Sequence, residues 1–336
     1  MSENERKKRA GFTLIEVSIV SVLLGVLVMG AMTFFTTQKK NASINSQIID
    51  VQQSSRLLGD LLEHDLRHAG LMVPEPAAFC AVDRLNAPDT LFVSDAGAIN
   101  TIDERRHDLA GRVTGGATNI ATGSQVLSLD TLVLEFASPD PAYDTDANGA
   151  ADSDFQVGAG VIVADAGNPE RGTACGTVDA VSAGSNQITI TIAGSALAAI
   201  ATGSNNVDLV AIPAHVYEIN GDSQLLRNGA TVADDIEDLQ IAVFLDDDQD
   251  RVVDAGEYRG DGVGADFDPS AEDLSTARII RTNLLIRTRL EDPENNGGRY
   301  QSSENRAAGT VSDGYRRRLY TSTVLLRNIG SRVPSS

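Results

Sequence analysis

From Val17 to Phe35 the chain runs 19 residues without a charge, long enough to cross a bilayer as a helix. Arg6, Lys7, Lys8 and Arg9 precede this run and Lys39 and Lys40 follow it. The basic flank in front holds the N-terminus on the cytoplasmic side by the positive-inside rule. The helical pattern continues past the far interface. Ile44, Ile48, Val51, Leu58, Leu62 and Leu66 recur at steps of three or four, or twice that, which predicts an amphipathic helix reaching about Ala69. Gly70, Pro74 and Pro76 end it. No small-residue cleavage site follows the apolar run in "FFTTQKKNAS", so the helix is expected to be kept, unlike an ordinary signal peptide. From Phe12 to Ala69 it would be roughly 90 Å long at 1.5 Å per residue.

After Pro76 the period changes to that of strands. "DTLFVSD", "QVLSLDTLVLEFA", "AGVIVAD", "NQITITI", "DLVAIPAHVYEI", "EDLQIAVFL", "ARIIRTNLLIRTRL" and "LYTSTVLL" alternate or run apolar over short lengths. Gly184-Ser185-Asn186, Asn220-Gly221-Asp222 and Asn228-Gly229 read as hairpin loops between them. The expected fold class is α+β, a mostly antiparallel β head packed on a long helix.

Composition narrows the function. The formal charge of -20 over 336 residues argues against a nucleic-acid partner, which needs clustered cations. Cys80 and Cys175 both follow the apolar run. If that run crosses a membrane they share its far side, where one structural disulfide is expected; the alternative is two unpaired buried thiols.

Gly11-Phe12-Thr13-Leu14-Ile15-Glu16, behind a short basic leader and ahead of an uninterrupted apolar helix, resembles the class III signal of type IV prepilins and type II secretion pseudopilins. The resemblance implies that a prepilin peptidase cuts between Gly11 and Phe12 on the cytoplasmic side and that Phe12 is then N-methylated. It also assigns Glu16 to subunit registration. A carboxylate in a hydrocarbon setting is costly without a partner, and in pilins the glutamate is thought to pair with the Phe amine of a neighbouring subunit. "LLEHDLRHAGL", "VYEINGDSQLLRNG" with "VADDIEDLQIAVFLDDDQD", and the closing "LYTSTVLLRN" resemble segments of PilW-family minor pilins. The apolar helix departs from many major pilins in lacking their proline.

The division this implies is a leader at 1–11, a membrane or filament-core helix at 12–36, an amphipathic half-helix at 37–70 and a periplasmic head at 71–336. The implied function is a minor pilin, structural rather than enzymatic, in a tip or priming complex. Its implied partners are other minor pilins, the major pilin, the inner-membrane assembly platform and a tip adhesin. It would reside in the inner membrane first and at the pilus tip afterwards. The alternative is a pseudopilin of a type II secretion system.

One loop suggests a ligand. Asp246, Asp248, Asp250, Asp254 and Glu257 stand at positions 1, 3, 5, 9 and 12 of a calcium loop of EF-hand type, with the Val252 carbonyl at position 7. That spacing can wrap the six to eight oxygens that Ca²⁺ requires around one point. Arg251 departs from the pattern, because the sharp turn there normally takes glycine. Asp144, Asp146, Asn148 and Asp152 form a weaker second loop, with Phe155 where a glutamate should stand and Asp154 as a substitute. The solvated acidic loop is the competing reading of both. His64 and His68 have the i, i+4 spacing of zinc enzymes, but aspartate replaces the glutamate base and no third ligand follows. They are read as part of the helix end. His107 and His215 are isolated and read as ordinary surface or strand residues.

Overall fold

The computed structural model describes residues 13–94, 106–109, 120–133, 153–194, 197, 207–250, 252, 254, 256–260, 262, 267–292, 294–295, 297–309 and 312–329. Helix α1 spans Leu14–His68, 55 residues. The chain divides into two units, one ending at Asp50 and one beginning at Val51.

In the first unit the large apolar side chains from Leu14 to Phe35 are between 49% (Val28) and 88% (Leu14) exposed. The polar atoms in this stretch are turned inward on the helix itself. The hydroxyls of Ser18, Ser21, Thr33, Thr36 and Thr37 each donate to a carbonyl three or four residues back, at 2.8–3.0 Å. Each hydroxyl is thereby satisfied without water, which a hydrocarbon surrounding demands.

In the second unit α1 has one buried stripe: Val51, Ser55, Leu58, Gly59, Leu62, Asp65 and Leu66. Their three- and four-residue steps place them on one face. Ten of the described strands form one sheet: β1 (Phe79–Val82), β2 (Thr90–Ser94), β3 (His107–Asp108), β4 (Gly123–Ser128), β5 (Gly160–Asp165), β6 (Thr173–Ser182), β7 (Gln187–Ala193), β8 (Leu209–Ile219), β9 (Leu225–Arg227) and β10 (Ala230–Ala233). Its main path runs β1-β2-β8-β5-β6-β7-β4. A second sheet has the order β12-β11-β13-β16, from β11 (Ile236–Leu245), β12 (Tyr258–Arg259), β13 (Ala277–Arg287) and β16 (Arg317–Leu325). The short strands β14 (Gly298–Arg299) and β15 (Ser312–Asp313) pair with each other. The ladders are antiparallel, as the α+β reading expects.

The buried stripe of α1 packs with Phe79, Leu91 and Val93 of the first sheet and with Leu239, Ile241, Ile280, Leu284 and Val324 of the second. Gly59 is what lets the helix come this close. A β-carbon there would sit 2.2 Å from the Tyr320 ring of β16. A separate core lies under β4 to β7 and includes Leu127, Phe155, Val161, Ile188 and Ile190.

All three expected hairpin turns connect successive strands. At Asn228-Gly229 both residues have positive φ, 52° and 76°, the type I′ geometry that matches strand twist. The strand pattern missed β1, β6 and the short strands β3, β9, β10, β12, β14 and β15. β1 is only four residues long, and β6 has Gly176 in its interior. A side chain at Gly176 would meet the Thr191 carbonyl oxygen at 2.2 Å, so this glycine permits the close approach of the paired strand β7. The part of "QVLSLDTLVLEFA" beyond residue 133 lies outside the described residues.

Candidate assembly and metal sites

Gly11 and Phe12 lie outside the described residues. Thr13 and Glu16 form a reciprocal pair at the start of α1. The Glu16 carboxylate accepts from the Thr13 backbone N–H at 2.9 Å and from its hydroxyl at 3.0 Å, and the Glu16 N–H donates to Thr13 Oγ1 at 3.3 Å. This is a capping box. Its signature, a threonine followed three residues later by glutamate, stands in the sequence and was not read as one. Within a single chain, therefore, Glu16 already has a local partner, and its carboxylate is placed over the first turn, where the helix dipole favours negative charge.

The segments that carried the PilW resemblance meet at the other end of α1. Asp65, from "DLRHAG", accepts from the Tyr217 hydroxyl at 2.5 Å and from Arg227 Nη2 at 2.9 Å. Tyr217 and Arg227 both belong to "VYEINGDSQLLRNG". Burial alone would raise the Asp65 carboxyl, but the Tyr217 hydroxyl and the Arg227 charge hold it below the ordinary carboxylate range. The same burial, with the Asp65 charge beside it, pushes the Tyr217 phenol upward. Asn328, the last residue of "LYTSTVLLRN", donates through Nδ2 to the Arg67 and Ala69 carbonyls at 3.2 and 3.1 Å. It supplies donors to carbonyls that the end of a helix leaves unpaired. The histidines are spent locally: His64 Nδ1 lies 3.2 Å from Asp65 Oδ1 and His68 Nδ1 lies 2.7 Å from the His64 carbonyl. Among the described residues no group of three metal ligands includes either of them.

Cys80 on β1 and Cys175 on β6 are joined, their Cα atoms 6.2 Å apart. Both are fully buried, and the bond ties the first strand after the helix to the middle of the large sheet.

The acidic loop connects β11 to β12. Asp246, Asp248 and Asp250 bring carboxylate oxygens within 4.8 Å of one another. Asp254 and Glu257 do not join that group. Instead the Glu257 oxygens accept the backbone N–H groups of Asp247 and Asp254, each at 2.8 Å. Asp246 is fully buried and is held by Arg278, with Nη2 at 2.7 Å. The left-handed turn falls at Gln249, φ 60°, while Arg251 lies outside the described residues. Val252 donates its N–H to Asp250 Oδ1 at 2.6 Å. Three of the expected oxygen donors thus converge, and the position-12 glutamate braces the loop through backbone N–H groups.

Asp144, Asp146, Asn148 and Asp152 lie outside the described residues. Asp154, the candidate substitute in that loop, is inside the protein, 3.0 Å from His107 Nε2, while His107 Nδ1 is 2.8 Å from the Thr131 carbonyl. His107 is a fully buried strand residue whose ring lies tilted against Phe155, centroids 4.8 Å apart; a lone histidine in a short strand gave no sign of this.

Two family models match the chain. Residues 199–328 match the family described as Type IV Pilus-assembly protein W. Residues 6–32 match the prokaryotic N-terminal methylation motif. No curated protein and no solved structure matches. The first match spans Tyr217, Arg227 and Asn328 and the acidic loop, and the second spans Glu16 and the apolar run as far as Met32.

Proposed function

We propose that this chain, a PilW-type pilus protein behind a prepilin methylation motif, is a minor pilin that joins other minor pilins in a priming complex for type IV pilus assembly. The observation that carries the reading is the first half of α1. It is apolar on every side, its hydroxyls are closed on its own backbone, and its large side chains are 49% to 88% exposed among the described residues. Such a helix is stable in lipid or among other helices of the same kind, and not in water.

In this reading a prepilin peptidase cuts between Gly11 and Phe12, and the new amine of Phe12 is methylated. The chain waits in the inner membrane with its head in the periplasm and then enters the filament near the tip. Glu16 exchanges its Thr13 contacts for the amine of a neighbouring subunit, so charge is neutralised only when the helices stack in register. The Asp65–Tyr217–Arg227 contacts and Asn328 fix the head on its end of the helix. The head then meets neighbouring heads, the major pilin or a tip adhesin. The acidic loop takes Ca²⁺ on Asp246, Asp248 and Asp250, with Asp254, Glu257 and the Val252 carbonyl moving onto the ion. A chelator should lower the melting temperature of the purified chain; no change, with no calcium found by mass spectrometry, removes the ion from the account.

The test of the function is the amount of pilin sheared from cells with an in-frame deletion, in a background where filaments cannot retract. A collapse of surface filaments is expected, restored by the intact gene and not by a Glu16→Ala copy. Normal filaments with lost exoprotein secretion would instead assign the chain to a secretion pseudopilus.

A further inference from the structure

Two histidines stand on the outer face of the last turns of α1. His64 and His68 are one helical turn apart and so lie side by side on the helix surface. Both are exposed, the His64 side chain to 69%, and both lie off the buried stripe of Leu58, Leu62 and Leu66. Their ring centroids are 4.5 Å apart, with the ring planes at 40° to each other.

Hydrogen bonding fixes which nitrogen of each ring is left over. His68 Nδ1 lies 2.7 Å from the His64 carbonyl oxygen, which can only accept, so this Nδ1 carries the proton. His64 Nδ1 lies 3.2 Å from Asp65 Oδ1, and the other oxygen of that carboxylate accepts from Tyr217 and Arg227. Asp65 is therefore the acceptor here as well, and His64 Nδ1 the donor. In a neutral imidazole this leaves Nε2 as a lone pair. The two nitrogens of the ring point away from each other. Each Nδ1 is turned in, toward the helix backbone or its buried carboxylate, so each Nε2 is turned out. Among the described residues neither Nε2 has a hydrogen-bond partner.

We propose that Nε2 of His64 and Nε2 of His68 chelate one late first-row divalent metal ion, Cu²⁺ in preference to Zn²⁺, with water or a neighbouring molecule filling its other positions. Metal-binding histidines have their far N–H held by a carboxylate or a backbone carbonyl, which orients the ring and makes the free nitrogen more basic. Asp65 and the His64 carbonyl are those two partners. An ion about 2.0–2.1 Å from a ring nitrogen lies about 3.2 Å from the ring centroid, so two rings at right angles about one ion have centroids about 4.5 Å apart. That is the separation of His64 and His68. A right angle suits the tetragonal preference of Cu²⁺, which also stands above Zn²⁺ in affinity for nitrogen ligands. Asp65 is held by Tyr217 and Arg227 and is not free to act as a base, so the pair binds a metal without hydrolytic chemistry. The site shares no residue with the acidic loop and does not depend on the pilus reading.

The test uses the full chain in detergent, purified without a polyhistidine tag, stripped with chelator and titrated with Cu²⁺. One equivalent should give an electron paramagnetic resonance spectrum with coupling to two imidazole nitrogens. Zn²⁺ should displace this signal only in excess, and Ca²⁺, a hard ion that takes oxygen ligands, should not displace it. Loss of an outer-shell partner alone costs about ten- to a hundredfold in metal affinity. His68→Gln, which removes a ligand at an exposed position, should therefore weaken Cu²⁺ binding by about tenfold or more. In His64→Gln/His68→Gln the nitrogen-coupled signal should be gone. A signal that persists in the double variant overturns the proposal, and so does a His68→Gln chain that binds Cu²⁺ as tightly as its parent. A parent spectrum with oxygen ligands alone, displaced by Ca²⁺, overturns it too and moves the ion to the acidic loop.

Discussion

Leu23 and Leu62 belong to one continuous helix, yet Leu23 is 59% exposed and Leu62 is 1% exposed. One turn either way from Leu23 the residues Ile19, Val20, Val26 and Leu27 are all apolar, so no direction on the helix is marked as inside. Around Leu62 a stripe of three- and four-residue steps faces two sheets, and charged residues such as Glu63 and Arg67 lie off it. Sequence period therefore separates a surface completed by the chain's own fold from one that must be completed by something else. The first half of α1 is stabilised by its surroundings, the second by the head.

Cutting the head loose should give the largest effect. Reducing Cys80–Cys175, or the Cys80→Ser/Cys175→Ser variant, releases a loop with a sequence separation of 95, a loss of about 4.7 kcal/mol in the chain-entropy model. Thermal melting should fall steeply, while membrane fractionation of the chain stays as before. Leu62→Ala leaves a cavity between helix and sheets and should cost about 3 kcal/mol. Leu23→Ala should move the same melt by less than about 0.5 kcal/mol. Equal effects from the two leucines would erase the contrast between the halves.

Asp65 sharpens the comparison through pH. Its carboxyl is held below the ordinary range in the folded chain, so the folded state binds fewer protons than the unfolded one as acid is added. The stability it contributes is complete above the unfolded value and is lost as pH falls through the folded one. Melting should therefore decline below about pH 4, and Asp65→Asn, at a cost of about 2 kcal/mol near neutral pH, should flatten that decline. The caps give a smaller effect than Asp65. Asn328→Ala should cost about 1 kcal/mol in the head melt, and Thr13→Val a similar amount in helix content at the start of α1 with no change in the head.

What could be read from sequence followed from how local the signal was. The apolar run, its amphipathic continuation, the end at Gly70 and the eight strand patterns are all short-range periodicities, and each corresponds to an element where the residues are described. The Asp65–Tyr217 contact joins residues 152 positions apart, and no spacing rule links them. β6 was hidden because Gly176, which reads as a breaker, is there for the neighbouring Thr191 backbone. The acidic loop could be read as a ligand list, but the role of Glu257 as a brace depends on where the Asp247 and Asp254 N–H groups point.

Asn328 completes the end of a helix that began at Leu14, so the Arg67 carbonyl waits for a residue 261 positions further along the chain. A chain that stops before residue 319 leaves the ribosome with most of the edge strand β16 missing and its helix terminus open, however well the rest has folded. Completeness is thus written into the joint between helix and head. An unfinished subunit would reach the membrane with the joint between helix end and head still loose.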